Sequence, residues 1–531
     1  MEKLTHTDAL RYRDTRGRDT ARPTFSDAVL RGMAEGGGLY VPEEVPALSL
    51  EDIVSLAEVP YYLRAARIYE AFKVDLPQDR IEALFKQAYG SNFDHPSVAP
   101  VRRIAHGLHV LELWHGPTAA FKDMALQAMP LFFGEAVANG SRAGGLRPAQ
   151  PDGVPSRYLI LVATSGDTGK AALEGFADRE RTAIVVFYPE EGVSELQRLQ
   201  MVTQRGENVG VFGVRGNFDD CQAAVKTAFA DVSFNELLLH EYGVSLSSAN
   251  SINWGRLLPQ VAYYVSAYAD LVAAGALLPG EAADFCVPTG NFGNILAGYY
   301  ARRLGVPIAR LLCASNENRV LADFLASGVY DLRGRQFVMT PSPSMDILVS
   351  SNLERALFEI SGDPGKVSAW MSSLKSSGYF AVDSQTLAEL QEIFTGGWVS
   401  NEESLATIRS VHSEYGYLLD PHTAVAWRLA EKLREDRPMV VVGTAHWAKF
   451  GSDVLRALEG TRAGDGPPEQ ADRLNPRAVL ERVLELAPGE RVPESLRNLF
   501  SLPVRFDEVV DGDPEAVKEA VRRFLERPSA V

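Results

Sequence analysis

The sequence predicts an α/β protein with parallel sheets and helices on both faces, together with a mostly helical N-terminal region. Apolar runs of strand length alternate with helix patterns over 101–341, which is typical of parallel βαβ units. Two of these runs lead directly into glycine-rich turns and then into helices. The length of 531 residues exceeds what one hydrophobic core supports, so two or three domains are expected.

The predicted elements follow in order along the chain. The N-terminal region has helix candidates at 50–63 and 78–89, and Pro96 and Pro100 mark its end. The strand candidates, each an apolar run, are 157–164, 182–189, 208–215, 284–289, 308–314 and 438–444. We therefore expect a mostly helical domain 1–100, an α/β core 101–350, a helical region whose final strand completes the larger sheet 351–459, and a linker with a helical tail 460–531.

Two stretches lack a regular apolar pattern. Residues 138–157 are rich in Gly, Pro, Arg and Ala, and residues 460–470 read GTRAGDGPPEQ. We expect the first to be an exposed insertion loop and the second to be a flexible link. The residues from 353 to 435 show helix patterns, which predict helices there.

Lys122 lies in an apolar segment, WHGPTAAFKDMALQ, that spans Trp114–Gln127. Burying a lysine charge is costly, so a lysine at an apolar helix start either extends its amine to solvent or works as a neutral amine. A Schiff-base lysine needs such a desolvated amine beside an electron-sink cofactor. Taken alone, the segment favours the solvent-facing amine, and the motifs below reverse that preference.

Two strand candidates end in turns of the same kind. The first turn, after 157–164, consists of Ser165, Gly166, Asp167, Thr168 and Gly169. The second turn, after 284–289, consists of Gly290, Asn291, Phe292, Gly293 and Asn294. Glycines let backbone amides converge, and the start of the next helix adds a positive dipole end, so each turn is a potential anion site. The alternative for either turn alone is an ordinary connection between strand and helix.

A third strand places a hydroxyl in the same kind of position. The run 438–444, PMVVVGT, ends at Thr444. Ligands of open α/β sheets bind beyond the C-terminal ends of strands, so this hydroxyl is a candidate ligand contact. A strand-end threonine selected for β-propensity is the alternative.

The motifs HGPTAAFKD, ATSGDTG, SANSIN, GNFGN and GTAH-x-AKF, in this order, resemble the motif set of threonine synthases. These enzymes use pyridoxal 5'-phosphate (PLP) and have fold type II, the tryptophan-synthase-β type. The stretch Thr24–Glu43 resembles the start of that family, and the resemblance extends to about Phe450. It implies that 101–350 is a PLP-binding core with a smaller substrate subdomain. One departure is Trp447, where many members have proline, which predicts an altered loop beside Thr444.

The resemblance implies a role for each motif. Lys122 is the catalytic lysine, which also binds the cofactor. The 290–294 turn binds the cofactor phosphate, and Thr444 binds the pyridine nitrogen, where a hydroxyl implies a more weakly protonated ring than a carboxylate partner would give. The 165–169 turn holds the substrate carboxylate. Because a neutral turn suits an anion better, we expect Asp167 to point away from the substrate or to cap the following helix.

A phosphorylated substrate requires a second phosphate site. Arg256 follows the SANSIN segment on a helix and is the best candidate for bidentate phosphate binding, and Lys226 adds a second charge. The candidate residues are Ser248, Asn250, Ser251, Asn253, Arg256 and Lys226. An ordinary surface role is an equally supported alternative for each of them. His115 and His446 lie in family motifs, where structural and chemical roles are equally supported.

Composition excludes several classes of protein. The formal net charge of −16 argues against nucleic-acid binding. Three scattered cysteines without metal-ligand spacing predict a reducing compartment, no disulfide framework and no metal site. The acidic residues of the N-terminus weigh against a transit peptide, and the lack of a long apolar run predicts no membrane span. We expect a cytoplasmic monomer or weak homodimer.

The resemblance implies a lyase that converts O-phospho-L-homoserine and water to L-threonine and phosphate by γ-elimination and β-addition, the last step of threonine biosynthesis. One alternative is a phospho-lyase on the same scaffold, which releases 2-oxobutyrate. A second is a serine/threonine dehydratase, but those enzymes commonly show a run of glycines in the phosphate loop. A third, a binding protein with a relic fold, is opposed by the intact lysine, both turns and Thr444.

Overall fold

The computed structural model describes residues 9–142, 157–190, 193–216, 218–460 and 474–527. Within these ranges the chain forms two large sheets and two small two-stranded sheets, with helices packed around them. Most of the predicted insertion loop and of the predicted link lie outside the described residues. None of the helices in the described ranges combines the length and apolar character that a membrane span requires.

The strands are β1 Tyr12–Asp14, β2 Tyr40–Pro42, β3 Val101–Ala105, β4 Leu108–Glu112, β5 Arg157–Ala163, β6 Thr182–Pro189, β7 Val209–Val214, β8 Val244–Ser247, β9 Ala283–Pro288, β10 Ile308–Ser315, β11 Val329–Asp331, β12 Tyr379–Ala381, β13 Phe394–Trp398, β14 Met439–Gly443 and β15 Val509–Val510. The helices before residue 300 begin with α1 Phe25–Arg31, α2 Leu50–Ser55, α3 Tyr61–Ala71, α4 Gln78–Ala88, α5 Asp123–Leu126, α6 Met129–Arg142, α7 Asp167–Phe176, α8 Glu195–Val202, α9 Phe218–Ala230, α10 Val232–Tyr242, α11 Trp254–Ala273 and α12 Gly293–Leu304. The later helices are α13 Val320–Ser327, α14 Leu353–Ser361, α15 Pro364–Ser377, α16 Ser384–Gln391, α17 Asn401–Tyr415, α18 Pro421–Leu433, α19 Gly451–Glu459, α20 Pro476–Leu486, α21 Glu494–Arg497 and α22 Pro514–Leu525. Short 3₁₀ helices occupy Leu56–Glu58, Pro343–Met345, Trp447–Phe450 and Asn498–Ser501.

The larger sheet has six strands in the order β13-β10-β9-β14-β4-β3, and every neighbouring pair is parallel except β3 with β4. Alternate side chains of β14 enter different cores. Val440 and Val442 pack in the cluster that includes α11 and α12, whereas Val441 packs in the cluster that includes α17 and α18. Because both faces are covered, the strand reads as a continuous apolar run.

The smaller sheet is wholly parallel, in the order β15-β7-β6-β5-β8. Ile160 of β5 packs in the cluster that contains side chains of α6 and α7. Leu161, its neighbour, faces the cluster formed with α9 and α22. Four of the strands lie within 101–350, and the C-terminal tail supplies the edge strand β15. The domain boundaries at 100, 350 and 459 remain a proposal.

The strand predictions are confirmed to within one residue at every boundary, and the helix predicted at 78–89 ends one residue early. The helix predicted at 50–63 is broken into α2, a 3₁₀ turn and the start of α3, because Pro60 does not continue a helix. The prediction of helices throughout 353–435 missed β13, FTGGW. Its glycines lower strand propensity, but a Cβ on Gly397 would lie 2.3 Å from a Leu429 methyl carbon, so packing requires glycine there.

Candidate functional site

The segment before α5 is tied to the end of β14. The amide of Phe121 donates to the carbonyl oxygen of Thr444 at 2.8 Å, and the amide of His446 donates to the carbonyl oxygen of Ala119 at 3.1 Å. Ala119 has a φ of 56°, a conformation that costs energy for a residue with a side chain. These bonds place Lys122, which directly precedes α5, beside Thr444.

The amine of Lys122 is buried and polar contacts surround it. Its Nζ donates to Asp167 Oδ2 at 3.2 Å and to Ser344 Oγ at 3.1 Å. Burial lowers the pKa of this amine, the charges of Lys449 and Arg256 lower it further, and Asp167 opposes them. The solvent-facing alternative for Lys122 does not hold, because the side chain is only 7% exposed.

The 165–169 turn carries a buried carboxylate into the site. Gly166 has a φ of 134°, and the hydroxyl oxygen of Thr164 accepts from its amide at 3.0 Å. Asp167, the first residue of α7, binds Lys122 through one oxygen and Lys449 Nζ, at 2.9 Å, through the other. Burial raises the pKa of Asp167, but the two lysines outweigh burial and hold it well below its usual range. The expectation that Asp167 points away or caps α7 is therefore wrong: no side-chain cap forms, and the lysines attract the carboxylate inward.

Lys449 is the residue that sequence reasoning missed. It is buried, and its Nζ also donates to the carbonyl oxygen of Thr118 at 2.8 Å. The available signal was a second lysine in an apolar setting, in the motif GTAH-x-AKF. The structure thus places one carboxylate between two lysine amines at the end of β5.

The 290–294 turn is shaped differently. Phe292 has a φ of 61°, and a Cβ on Gly290 would lie 3.0 Å from the carbonyl oxygen of Ser344. Asn294 Oδ1 accepts from the hydroxyls of Tyr263 at 2.7 Å and Tyr264 at 2.8 Å. No residue of the turn is ionisable, and the first amides of α12 have no partners within the helix. The turn therefore presents backbone donors and the helix dipole to the site.

Thr444 has an unpaired hydroxyl. Its amide donates to Thr423 Oγ1 at 3.2 Å, but its own buried Oγ1 has no hydrogen-bond partner among the described residues. A buried polar atom without a partner costs free energy, so this oxygen is poised to contact a ligand. The Nδ2 of Asn294 is a second buried atom of this kind.

Arg256 is a buried cation without a carboxylate partner in the described part of the chain. One guanidinium nitrogen donates to the carbonyl oxygen of Ala249 at 3.0 Å, and Nε has no partner. Burial lowers the pKa of the guanidinium to about 10. Its charge also acts on Lys122, so it faces the same site. Such a group needs an anion to balance it.

The other residues predicted for the substrate phosphate have mixed surroundings. Asn253 caps α11 by accepting from the amide of Gly255 at 2.9 Å, which is a structural role. Ser248 Oγ accepts from the amide of Asn250 at 3.2 Å, and Ser251 Oγ contacts Ser351 Oγ at 3.2 Å. The prediction for Lys226 gains no support from the structure: its amine is exposed and donates to Gln222 on the same helix.

The two motif histidines make structural contacts. His115 bridges Asp94 Oδ1 at 2.7 Å and Glu112 Oε2 at 3.0 Å, and these bonds outweigh burial and raise its pKa to about 9. His446 caps the 3₁₀ turn Trp447–Phe450, and burial lowers its pKa to about 3. Neither ring forms a described hydrogen bond with Lys122.

Trp447 points toward the C-terminal tail. Its indole nitrogen donates to Glu490 Oε2 at 3.1 Å, and the ring packs in the same cluster as Leu480. The backbone of Thr444 is bonded to the amide of Phe121 and to the hydroxyl of Thr423, and the effect of Trp447 on this loop stays a prediction.

A cavity of about 350 Å³ adjoins the site. Ser165 and Lys449 line this cavity, and so do the exposed side chains of Phe337 and Met339. The Asp167–Lys449 pair therefore lies beside a space large enough for a small molecule.

Comparison with known proteins gives consistent matches along the chain. Residues 11–89 match the family model "Threonine synthase N terminus", and residues 423–521 match "Threonine synthase, C-terminal". A threonine synthase-like 1 of Macaca fascicularis is 45% identical over 82% of this chain. This chain spans only 58% of that relative's length. Threonine synthase of Pseudomonas aeruginosa is 40% identical over 84% of this chain and 90% of its own length.

A crystal structure described as PLP-bound threonine synthase from Brucella melitensis superposes with a TM-score of 0.82 and 38% identity. The match covers 98% of this chain and 100% of that chain. It confirms the predicted fold class, PLP-dependent fold type II. From the matched residues and the fold together, the chain belongs to the threonine synthase family.

Proposed function

We propose that this protein is a threonine synthase that uses PLP to convert O-phospho-L-homoserine and water to L-threonine and phosphate. The observation that carries the proposal is the buried amine of Lys122, with its lowered pKa, beside Thr444 and both turns. A buried lysine of this kind serves as a nucleophile or base rather than as a surface charge. Family membership supports the same reaction.

The residues present fit PLP. The amides at the start of α12 suit its phosphate, and the unpaired Thr444 Oγ1 suits its pyridine nitrogen. A side chain on Gly290 would crowd the carbonyl of Ser344, so glycine lets the turn pack closely against the segment that carries Ser344, a contact of Lys122. When bound, PLP supplies an electron sink that stabilises negative charge on the carbon next to the substrate amine.

The substrate carries a carboxylate and a phosphate, and the site has the charges to receive them. Lys122, Lys449 and Arg256 are cationic, and Asp167 is the carboxylate that faces the lysines. We assign the substrate phosphate to Arg256, because a buried guanidinium without a carboxylate partner binds phosphate through paired donors. The substrate carboxylate is assigned to the 165–169 turn, where Lys122 and Lys449 balance the inward-facing charge of Asp167.

Proton movement falls to Lys122. Its Nζ can take a proton from the substrate and return it, because burial and the neighbouring cations lower the pKa of this amine and so favour its neutral form. Asp167 Oδ2 and Ser344 Oγ hold the amine in place between these steps. In the overall reaction, phosphate leaves the γ carbon and the hydroxyl of water joins the β carbon.

A cytoplasmic location is part of the proposal. All three cysteines are free and buried, as is common in proteins of reducing compartments.

The decisive experiment is product analysis with phosphohomoserine. We expect threonine and inorganic phosphate in equal amounts, measured by amino-acid chromatography and a phosphate assay. Stoichiometric 2-oxobutyrate with little threonine would identify the phospho-lyase instead. Keto-acid release from L-serine or L-threonine alone, without phosphate, would identify the dehydratase.

A further inference from the structure

Asp420 forms an unusual helix cap. Three helices begin with an Asp-Pro pair, at Asp363, Asp420 and Asp513. In each, the carboxylate accepts from two backbone amides of the first turn. Asp363 and Asp513 are exposed, whereas Asp420 is buried and also binds two side chains. Those two additional bonds lead to the site.

The first bond leads to Lys122 through His422. Nε2 of His422 accepts from the amide of Ser344 at 3.1 Å, so the ring proton must be on Nδ1, which donates to Asp420 at 2.8 Å. The hydroxyl of Ser344 accepts from Lys122 Nζ at 3.1 Å. Asp420 thereby sets the tautomer of His422, and His422 sets the position of Ser344 against the amine.

The second bond leads to Thr444 through Thr423. The hydroxyl of Thr423 donates to Asp420 Oδ2 and accepts from the amide of Thr444 at 3.2 Å. The carbonyl of Thr444 is held on the other side by the amide of Phe121. With its backbone fixed on both sides, Thr444 holds in place the Cβ that carries its unpaired hydroxyl.

We propose that Asp420 is a positioning residue that aligns both cofactor contacts, Lys122 through His422 and Ser344, and Thr444 through Thr423. The proposal rests on the assignment of Lys122 and Thr444 to PLP under the proposed function. It needs no contact between Asp420 and any ligand. His422 and Thr423 are likewise positioning residues, because they act through Ser344 and Thr444.

The connection from Asp420 through Thr423 to Thr444 is called the Thr423 arm, and the one through His422 and Ser344 to Lys122 the His422 arm. The Thr423 arm is tested with a matched pair of variants. Thr423→Val keeps the shape but removes the hydroxyl, and Thr423→Ser keeps the hydroxyl. We expect the valine variant to weaken PLP binding roughly 3- to 10-fold, the effect of one lost hydrogen bond, and the serine variant to bind like wild type. Absorbance titration of cofactor-free protein with PLP measures this. Equal affinity in the valine variant would overturn this arm.

The His422 arm is tested on Lys122 itself, in protein without cofactor. An amine-reactive reagent is applied at fixed pH, and mass spectrometry follows labelling of Lys122. His422→Leu should raise the labelling rate roughly threefold, because displaced Ser344 no longer accepts from the ammonium form. His422→Gln, which keeps an acceptor near Nε2, should stay closer to wild type. An unchanged rate in the leucine variant would contradict the proposal.

Asp420→Asn tests both arms in one variant, and Asp363→Asn is its control. Asparagine caps helices as well as aspartate, so neither change removes a cap. At position 420, however, an NH₂ group would replace an acceptor for His422 or Thr423. We expect Asp420→Asn to change PLP affinity, Lys122 labelling or both, and Asp363→Asn to change neither. Wild-type behaviour of Asp420→Asn in both would overturn the proposal, and if that variant does not fold, the Thr423 pair decides.

These readouts do not depend on the product formed. If product analysis gives 2-oxobutyrate, the proposed reaction fails while the positioning role stands. If threonine forms but both arms show wild-type values, the positioning role fails alone.

Discussion

The two glycine-rich turns look alike in sequence and differ in charge. Both follow a parallel strand, both begin a helix, and both contain a glycine that a side chain would crowd, Gly166 and Gly290. The 165–169 turn begins its helix with Asp167, which is bound to two lysines. The 290–294 turn has no ionisable residue, and tyrosine hydroxyls hold its Asn294. A helix start without a carboxylate is free to receive phosphate, whereas one that carries a carboxylate organises amines.

The largest effect is expected at Lys122, whose amine is held by Asp167 of the 165–169 turn. Lys122→Ala should lower turnover at least roughly 10²- to 10⁴-fold, the usual contribution of a proton-transferring group. Borohydride reduction and mass spectrometry of wild type should place the PLP adduct on Lys122. Lys86→Ala removes an exposed lysine and serves as the control. An adduct on another lysine would refute the assignment.

The next effect concerns the substrate phosphate. Arg256→Ala should lower kcat/KM for phosphohomoserine roughly 10- to 150-fold through loss of a charge-assisted hydrogen bond, and PLP should remain bound. Arg256→Lys keeps a charge without the paired donors and should fall between the two. Steady-state kinetics and the PLP absorbance check both expectations. Wild-type kinetics of the alanine variant would remove Arg256 from the site.

The difference between the turns can be abolished by adding a carboxylate to the neutral one. Gly293→Asp should weaken PLP binding about tenfold or more, because the new charge repels the cofactor phosphate. Gly293→Asn has nearly the same shape without the charge and is the control. Equilibrium titration with PLP compares the two variants. Equal affinities would mean that the 290–294 turn does not bind phosphate.

The smallest effect is expected from Lys449, which shares Asp167 of the 165–169 turn with Lys122. Lys449→Met should raise the pKa of Lys122, because a neighbouring cation that disfavours the ammonium form is lost and Asp167 is left to Lys122. The pH dependence of Lys122 labelling in cofactor-free protein should move to higher pH. Labelling of exposed Lys86 in the same samples is the internal control. A shift to lower pH would contradict the charge balance described here.

Local patterns in the sequence predicted six strands of the two large sheets, β5, β6, β7, β9, β10 and β14, and did not single out the others. Buried parallel strands such as β5, β6 and β14 are continuous apolar runs, which are distinct in sequence. β13 was missed because Gly396 and Gly397 are there for close packing against α13 and α18. β15 has two residues and exists only because it pairs with β7, which no local pattern indicates.

The site was predictable only in part. Lys122, both turns and Thr444 stand in short motifs, and the resemblance of those motifs to the threonine synthase family implied their roles. Lys449 lies in the motif GTAH-x-AKF, but the sequence indicated no role for it, because one lysine in an apolar stretch does not reveal its partner. Asp420 and His422 were not singled out, since a helix cap and a histidine are common and only their contacts make them unusual.

The sequence by itself determined six strands of the two large sheets, the two glycine-rich turns, the apolar setting of Lys122 and the neutrality of the 290–294 turn, because each depends on neighbouring residues. Only the tertiary structure decided that Asp167 faces inward between two lysines, that Arg256 has no carboxylate partner among the described residues, and that Asp420 reaches two parts of the site. These groups come from distant segments. The charge of Asp167 is balanced only where the fold brings Lys122 and Lys449 to it.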